Sequence, residues 1–382
     1  MGERMRPDEI TIELLSERHH DVVATLRREC PVAWVDAIGG WMVTSRDLAA
    51  AVMRDSQTFT VDDPRFSTAQ VVGPSMLSLD GAEHQRHRSP FADAFRPAEV
   101  TARYAERIEA VASDLVRFLA PRGNAELRRD LAGPLAVAVV AMSLGIESIA
   151  STQLLSWYDA IVAAVDEVSQ GRPVSATGAA AYAALAEALH GAARRDDSVL
   201  HRAAQSLTDT EVASNAAVFL FGGIETSEGM AANALHHLLA HPAAWAAVGA
   251  DRSLIDTAVE ESLRLEPAAA RVDRYATADV DLAGAAIRRG DLVVVSLSGA
   301  NRDPAHFADP DRFDLWRVPP RSHVTFAQGP HACIGAQLAR METRAAIAAV
   351  LDLLPDVHLA GDVQVAGAIF RKPVALPVIW TA

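Results

Sequence analysis

Apolar residues recur every three or four positions over 98–119, 131–144, 151–168, 179–193, 209–239, 254–265 and 337–353, the spacing of one buried stripe on each of several helices. Alternation with a period of two appears in only two places. Residues 32–35 and 41–44 flank Gly39 and Gly40, the layout of a hairpin. Residues 271–298 alternate β-branched and polar positions, with Gly284 and Gly290 placed as turns. The pattern predicts a mainly α fold with a minor β part. No repeat, low-complexity tail or long linker divides the chain, so residues 1–382 read as one domain.

The longest helical pattern opens with a capping box, Thr208 with Glu211 three residues on, and runs to about His241. Its interior holds Gly222 and Gly223 side by side, each weakening a helix by about 1 kcal/mol relative to Ala. Close packing against another helix accounts for such a pair as well as a functional opening does. Glu225, Thr226 and Ser227 follow at once, so an acid and a hydroxyl stand beside the weak point.

Composition adds three constraints. Half of the residues are apolar but only 5% aromatic, so the core is built from Ala, Val and Leu. A formal charge of -14 argues against nucleic acid as a partner. Lys372 is the only lysine, and arginine supplies almost all the positive charge. Cys30 and Cys333 make no disulfide framework, and the first ten residues carry charges where a signal peptide needs an apolar run. The apolar stretch 131–146 is broken by Pro134 and is shorter than the roughly 20 residues of a spanning helix. A cytoplasmic protein with no membrane anchor is expected.

The most specific segment surrounds Cys333. A lone cysteine is usually a small buried hydrophobe, and Cys30 reads that way. Gly329 and Gly335 bracket Cys333, letting the backbone approach a flat ligand, and the helix starting just afterwards offers free N–H groups to a thiolate. This segment is similar to the cysteine loop of cytochromes P450, Phe-x-x-Gly-x-x-x-Cys-x-Gly, matched at Phe326, Gly329, Cys333 and Gly335. It departs from the commoner bacterial form at Ala327, often a second glycine, a change that leaves the ligand in place.

Further segments resemble the family in its order and at about its spacing. Glu261 and Arg264 match its Glu-x-x-Arg helix, and residues 310–313 match the segment that brings a second arginine, Arg312, to the glutamate. His84 and Arg88, four apart on one helix face, match its His-x-x-x-Arg contact; Arg274 and His331 resemble the remaining propionate ligands. Residues 222–226 resemble the motif of the long helix that crosses the distal heme face.

The resemblance implies a cytochrome P450 fold with heme b between that helix and the cysteine-loop helix. Cys333 would be the metal ligand, with Gly222, Phe326 and Gly335 against the macrocycle. Glu225 and Thr226 would be catalytic, handling protons. Glu261, Arg264 and Arg312 would form a buried scaffold under the cysteine loop. Phe59, Phe66, Met76, Val218, Phe219, Gly222, Ala268, Ala270, Ile369 and Phe370 would line the substrate pocket, and Asp62, Asp63, Arg65 and Arg271 could anchor a polar end of the ligand. The activity implied is oxygen-dependent hydroxylation, epoxidation or related oxidation of a bulky, mainly apolar molecule of secondary metabolism by a monomeric enzyme. Electrons would come from a ferredoxin and its reductase, with Arg340 and Arg344 as a candidate docking patch. A peroxide-dependent heme enzyme and a heme-binding sensor without turnover are the alternatives; the acid–alcohol pair argues against both.

Overall fold

The computed structural model describes residues 7–193, 198–318 and 322–382. Helices dominate, and their bounds follow the apolar stripes: Pro97–Leu119, Gly133–Leu144, Ser151–Ser169, Ala176–Ala192, Asp209–Leu239, Ile255–Leu265 and Ala336–Leu353. The long helix Asp209–Leu239 begins as predicted, the Thr208 hydroxyl accepting from Glu211 N and the Glu211 carboxylate accepting from Thr208 N. It passes through the centre of the molecule, packed against Gly133–Leu144 on one side and Ala336–Leu353 on another. Its two glycines serve different ends. A Cβ on Gly223 would come within 2.5 Å of Val140 Cγ2, whereas a Cβ on Gly222 would meet nothing within 4 Å. Helix crossing therefore explains Gly223 and leaves Gly222 facing open space.

The predicted hairpin is Val32–Val35 against Gly40–Val43, with Gly39 left-handed at φ 59°. It forms one edge of a five-stranded sheet that continues with Leu292–Ser296, Arg271–Ala276 and Phe59–Thr60. Gly284 and Gly290 both turn with φ 87°. Side chains alternate across this sheet: Val293 and Val295 enter one apolar cluster with Val32 and Val43, while Val294 enters another with Ala33, Val35 and Met42. Phe59 lies in the first of these clusters, 4% accessible. That corrects its placement in a ligand pocket, because its strand pairs with residues 275–276 and turns the ring into the sheet core. Among the described residues, no helix is long and apolar enough to cross a membrane.

Candidate functional site

The loop carrying Cys333 is seated on the helix Arg46–Arg54. Gly329 adopts φ 76°, and a Cβ there would lie 2.5 Å from Met53 O, so glycine is required both by the turn and by the contact. Cys333 N donates to Phe326 O at 2.8 Å, closing the loop before the helix Ala336–Leu353 begins. The side chain is surrounded by protein, yet its own surface is accessible, so the sulfur borders open space inside the fold. Burial pushes the thiol up, while the Gly335 N–H and the charges of Arg88 and Arg340 pull it down. A bound metal ion would deprotonate it outright.

Cations gather beside this loop. His84 and Arg88 lie on the helix Gly81–Ala92, and Arg88 Nη2 donates to Ala332 O at 2.6 Å. The rings of His84 and His331 stand 4.3 Å apart, and His331 Nε2 is 2.8 Å from Asp80 Oδ1. Burial would raise the Asp80 carboxyl, but hydrogen bonds from His331, Thr60 and the Val61 N–H outweigh it and hold the group at about 2. Burial, then His331 and Arg88, lower the His84 imidazole to about 4. Its Nε2 is buried with no hydrogen-bond partner, a donor or acceptor that a protein seldom leaves unused. Arg274 is 4% accessible and donates to the carbonyl of Asp273. Two arginines, an orphaned imidazole nitrogen and an accessible enclosed thiol fit a flat, iron-bearing dianion such as heme.

On the long helix, the Thr226 hydroxyl donates to Gly222 O at 2.5 Å, a bond back into the helix at its glycine. Glu225 faces another way: Tyr158 Oη donates to Oε2 at 3.1 Å and Lys372 Nζ lies 2.8 Å from Oε1. Ser227, next in sequence, donates to Glu342 on the helix that follows Cys333. Glu342 is 2% accessible, and burial holds its carboxyl well above the usual range.

Several expected positions differ. Arg312 does not reach Glu261; its guanidinium turns out to Asp314, and Arg317 Nε bonds both oxygens of Glu261 at 3.0 Å. Only the Arg312 carbonyl joins the scaffold, accepting from Arg264 and Arg317. Phe219 stacks on Phe95 at 4.9 Å and tilts on Phe91, which places its ring among helix side chains. Ala268 and Ala270 are 2% and 0% accessible; Ala269 is the more accessible, because extended backbone alternates its faces. Arg340 is clamped to Glu260 and lies over the Phe326 ring at 4.4 Å, and Arg344 pairs with Asp256, so neither is a free surface cation. Arg65 is paired with Asp63 at 2.8 Å, whereas Arg271 Nε and Nη1 are buried without partners. Phe66 and Val218 are half-buried, Met76 is buried, and Ile369 is 44% exposed. Phe221, which no local pattern distinguished, meets Phe370 at 6.0 Å.

A separate cleft of about 530 Å³, lined by Arg103, Tyr104, Arg107 and Glu147 among others, contains none of these residues.

Comparison with known proteins identifies the family. Residues 193–354 match the family model "Cytochrome P450". The chain is 34% identical to cytochrome P450 monooxygenase PikC of Streptomyces venezuelae, over 94% of this chain and 90% of that protein. It is 33% identical to mycinamicin IV hydroxylase/epoxidase of Micromonospora griseorubida, over 89% of each. The crystal structure of P450BioI in complex with an acyl carrier protein ligated to hexadec-9Z-enoic acid superposes with a TM-score of 0.87 at 28% identity, covering 97% of this chain and 99% of that one. Full-length identity above the level of fold likeness, joined to a cysteine loop with cationic flanks, shows that the chain belongs to the cytochrome P450 family of bacterial heme-thiolate monooxygenases.

Proposed function

We propose that this enzyme oxidises a bulky, mainly apolar small molecule in secondary metabolism, with Cys333 as the iron ligand, Glu225 and Thr226 managing protons, and electrons delivered by a separate ferredoxin and its reductase. The bound heme supplies oxygen activation, favoured by donation from the thiolate. This chain's residues hold and orient that group. Arg88, Arg274, His84 and His331 would take the two propionates, the buried His84 Nε2 gaining a partner that it lacks among protein atoms. Gly222 keeps the helix face open where a side chain would intrude. The Thr226 hydroxyl can donate into that space when it leaves Gly222 O, and Glu225 can carry protons between it and solvent.

The observation that carries the reading is the enclosed yet accessible Cys333 beside buried His84 and Arg274 and half-buried Arg88 and His331. Support for a large substrate comes from the open space at Gly222 and from the smallness of Ala269, which pairs with Phe370. That one relative is named a mycinamicin IV hydroxylase/epoxidase supports a secondary metabolite as the substrate. Reduced protein with carbon monoxide should absorb near the wavelength that names the family, since ligation of the heme by the Cys333 thiolate would produce that shift. Cys333→His must abolish it and Cys30→Ser must keep it; the reverse would remove the ligand assignment. In spectral titration, macrocyclic, fused-ring or peptide-like compounds should bind more tightly than monoterpene-sized ones matched for hydrophobicity, and the opposite ranking would remove the substrate class.

A further inference from the structure

The one lysine among 382 residues lies between two carboxylates of the long helix. Lys372 Nζ is 2.8 Å from Glu225 Oε1 and 2.6 Å from Glu228 Oε2. The other oxygen of Glu228 accepts from Arg128 Nη1 at 3.0 Å, and that of Glu225 accepts from Tyr158. Acids and cations thus alternate along a chain of four, from Glu225 through Lys372 and Glu228 to Arg128. The side chains are 24%, 17%, 12% and 15% exposed in that order, too enclosed for an ordinary surface pair.

The ammonium is aimed by backbone. Phe221, Glu225 and Glu228 follow the i, i+4, i+7 spacing of one helix face. Residues 370–372 run along that face, with Phe370 against Phe221 and Lys372 two residues on, pointing the same way from extended chain. Gly229 permits the approach: a Cβ there would lie 2.9 Å from Ala268 Cβ and 3.5 Å from Lys372 Cβ. Arg371 is pinned on both sides, its N–H donating to Ala268 O at 2.8 Å and its carbonyl accepting from Asn233 Nδ2 at 3.0 Å. Both oxygens of Glu225 are engaged by this arrangement, and the Thr226 hydroxyl is bonded to Gly222 O instead.

We propose that Lys372 is the positioning residue of the distal acid, a latch that holds Glu225 away from Thr226 at rest and stays on Glu228 while Glu225 turns inward. Glu228 makes the exchange feasible, because release of Glu225 never strands a partly buried ammonium without an acid. Each proton is taken from water by the Glu225 carboxylate and given up on the Thr226 side. Glu225 then regains its charge and its pair with Lys372. The inference rests on the proton role given to Glu225 above.

Two measurements on holoenzyme test it. In the first, substrate-free enzyme with NADPH and a surrogate ferredoxin and reductase reduces oxygen either to hydrogen peroxide, with two electrons and two protons, or to two waters, with four of each. Lys372→Met frees Glu225 to turn inward and should lower the peroxide share at least about twofold, with heme content and carbonyl absorption unchanged and Lys372→Arg restoring part of it. A lysine with only a structural role would lower thermal stability and leave the share where it was. In the second, an acylating ester is read by peptide mass at Lys372, which a single-lysine chain makes unambiguous. Glu225→Gln and Glu228→Gln should each speed labelling about threefold, and the double variant about tenfold. Wild-type labelling in the double variant, or an unchanged peroxide share in Lys372→Met, overturns the latch. If Glu225→Gln itself leaves the share unchanged, the proton role of Glu225 falls and the latch with it; if Glu225→Gln raises the share and Lys372→Met does not lower it, the latch alone is lost.

Discussion

Arg317 Nε stands 3.0 Å from each carboxylate oxygen of Glu261, while Arg264 binds the same carboxylate at 2.8 Å through Nε and Nη2. Glu261 and Arg264 are 0% accessible, so the charge of the carboxylate is balanced by its two arginines, with the Asp314 N–H donating to Oε1 at 2.9 Å. Removing one partner of a buried charge leaves the other uncompensated, at a cost of about 3–5 kcal/mol. Arg317→Ala is expected to lower the thermal midpoint steeply or prevent accumulation of holoenzyme. Arg312→Ala, which deletes a pair 66% exposed on the arginine side, should cost under about 1 kcal/mol. Equal effects of the two substitutions in thermal unfolding would contradict the assignment.

Ala327 has φ 56°, a left-handed conformation that costs an L-residue roughly 1–2 kcal/mol. This is the position where the commoner loop carries glycine. The alanine keeps the ligand but leaves backbone strain beside it. Ala327→Gly should raise stability by up to about 1 kcal/mol after the entropy of glycine is subtracted. Chemical denaturation of the holoenzyme measures this, and a destabilised variant would show that the methyl group packs well enough to offset the strain.

Glu342 is an acid whose folded carboxyl is held well above the ordinary value by burial, against a hydrogen bond from Ser227. The native state therefore binds more protons than the unfolded one above about pH 4.5. Its contribution is whole below that value and is lost as pH rises toward the folded pKa. Glu342→Gln copies the neutral form and removes the loss. The stability of the variant relative to wild type should thus grow between about pH 4.5 and neutrality. A difference that stays flat with pH would mean that Glu342 is charged in the folded protein.

Gly222 and Gly223 should respond in opposite ways to one methyl group. Gly223→Ala drives a Cβ to 2.5 Å from Val140 and should destabilise by about 1–3 kcal/mol, the usual penalty of overpacking. Gly222→Ala meets no atom within 4 Å and should gain helix propensity of about 1 kcal/mol in the apoprotein, while weakening ligand-induced spectral shifts in the holoenzyme. Matching unfolding curves for the two variants would refute this division of labour.

Features set by local spacing were legible in the sequence. The capping box at Thr208, the turns at Gly284 and Gly290, the pairing of His84 with Arg88 on one face and the loop around Cys333 each depend on residues a few positions apart. What escaped depends on chain segments meeting from far away. Arg312 and Arg317 both follow the motif closely, and only the fold of residues 308–314 decides which guanidinium turns inward. The parity of residues 268–270 is fixed by pairing of Ala269 with Phe370, about a hundred positions later, so composition could not say which alanine faces out. Phe219 found Phe91 and Phe95 across a helix packing that no periodicity encodes. Lys372 was conspicuous for its rarity, but its two acids could not be named before the strand was placed.

The cysteine loop rests on residue 53: with Gly329 seated on Met53 O, Arg88 bonded to Ala332 O and His331 bonded to Asp80, these three supports of the loop come from the first quarter of the chain. During synthesis, which delivers the N-terminal segments first, those supports emerge early and must wait for their counterpart. Contacts separated by some 250 positions also close slowly, because loop entropy must be overcome before they form. Capture of the cofactor is accordingly among the last events in the making of the molecule, and a nascent chain halted between residues 275 and 330 would carry His84, Arg88 and Arg274 but neither His331 nor Cys333.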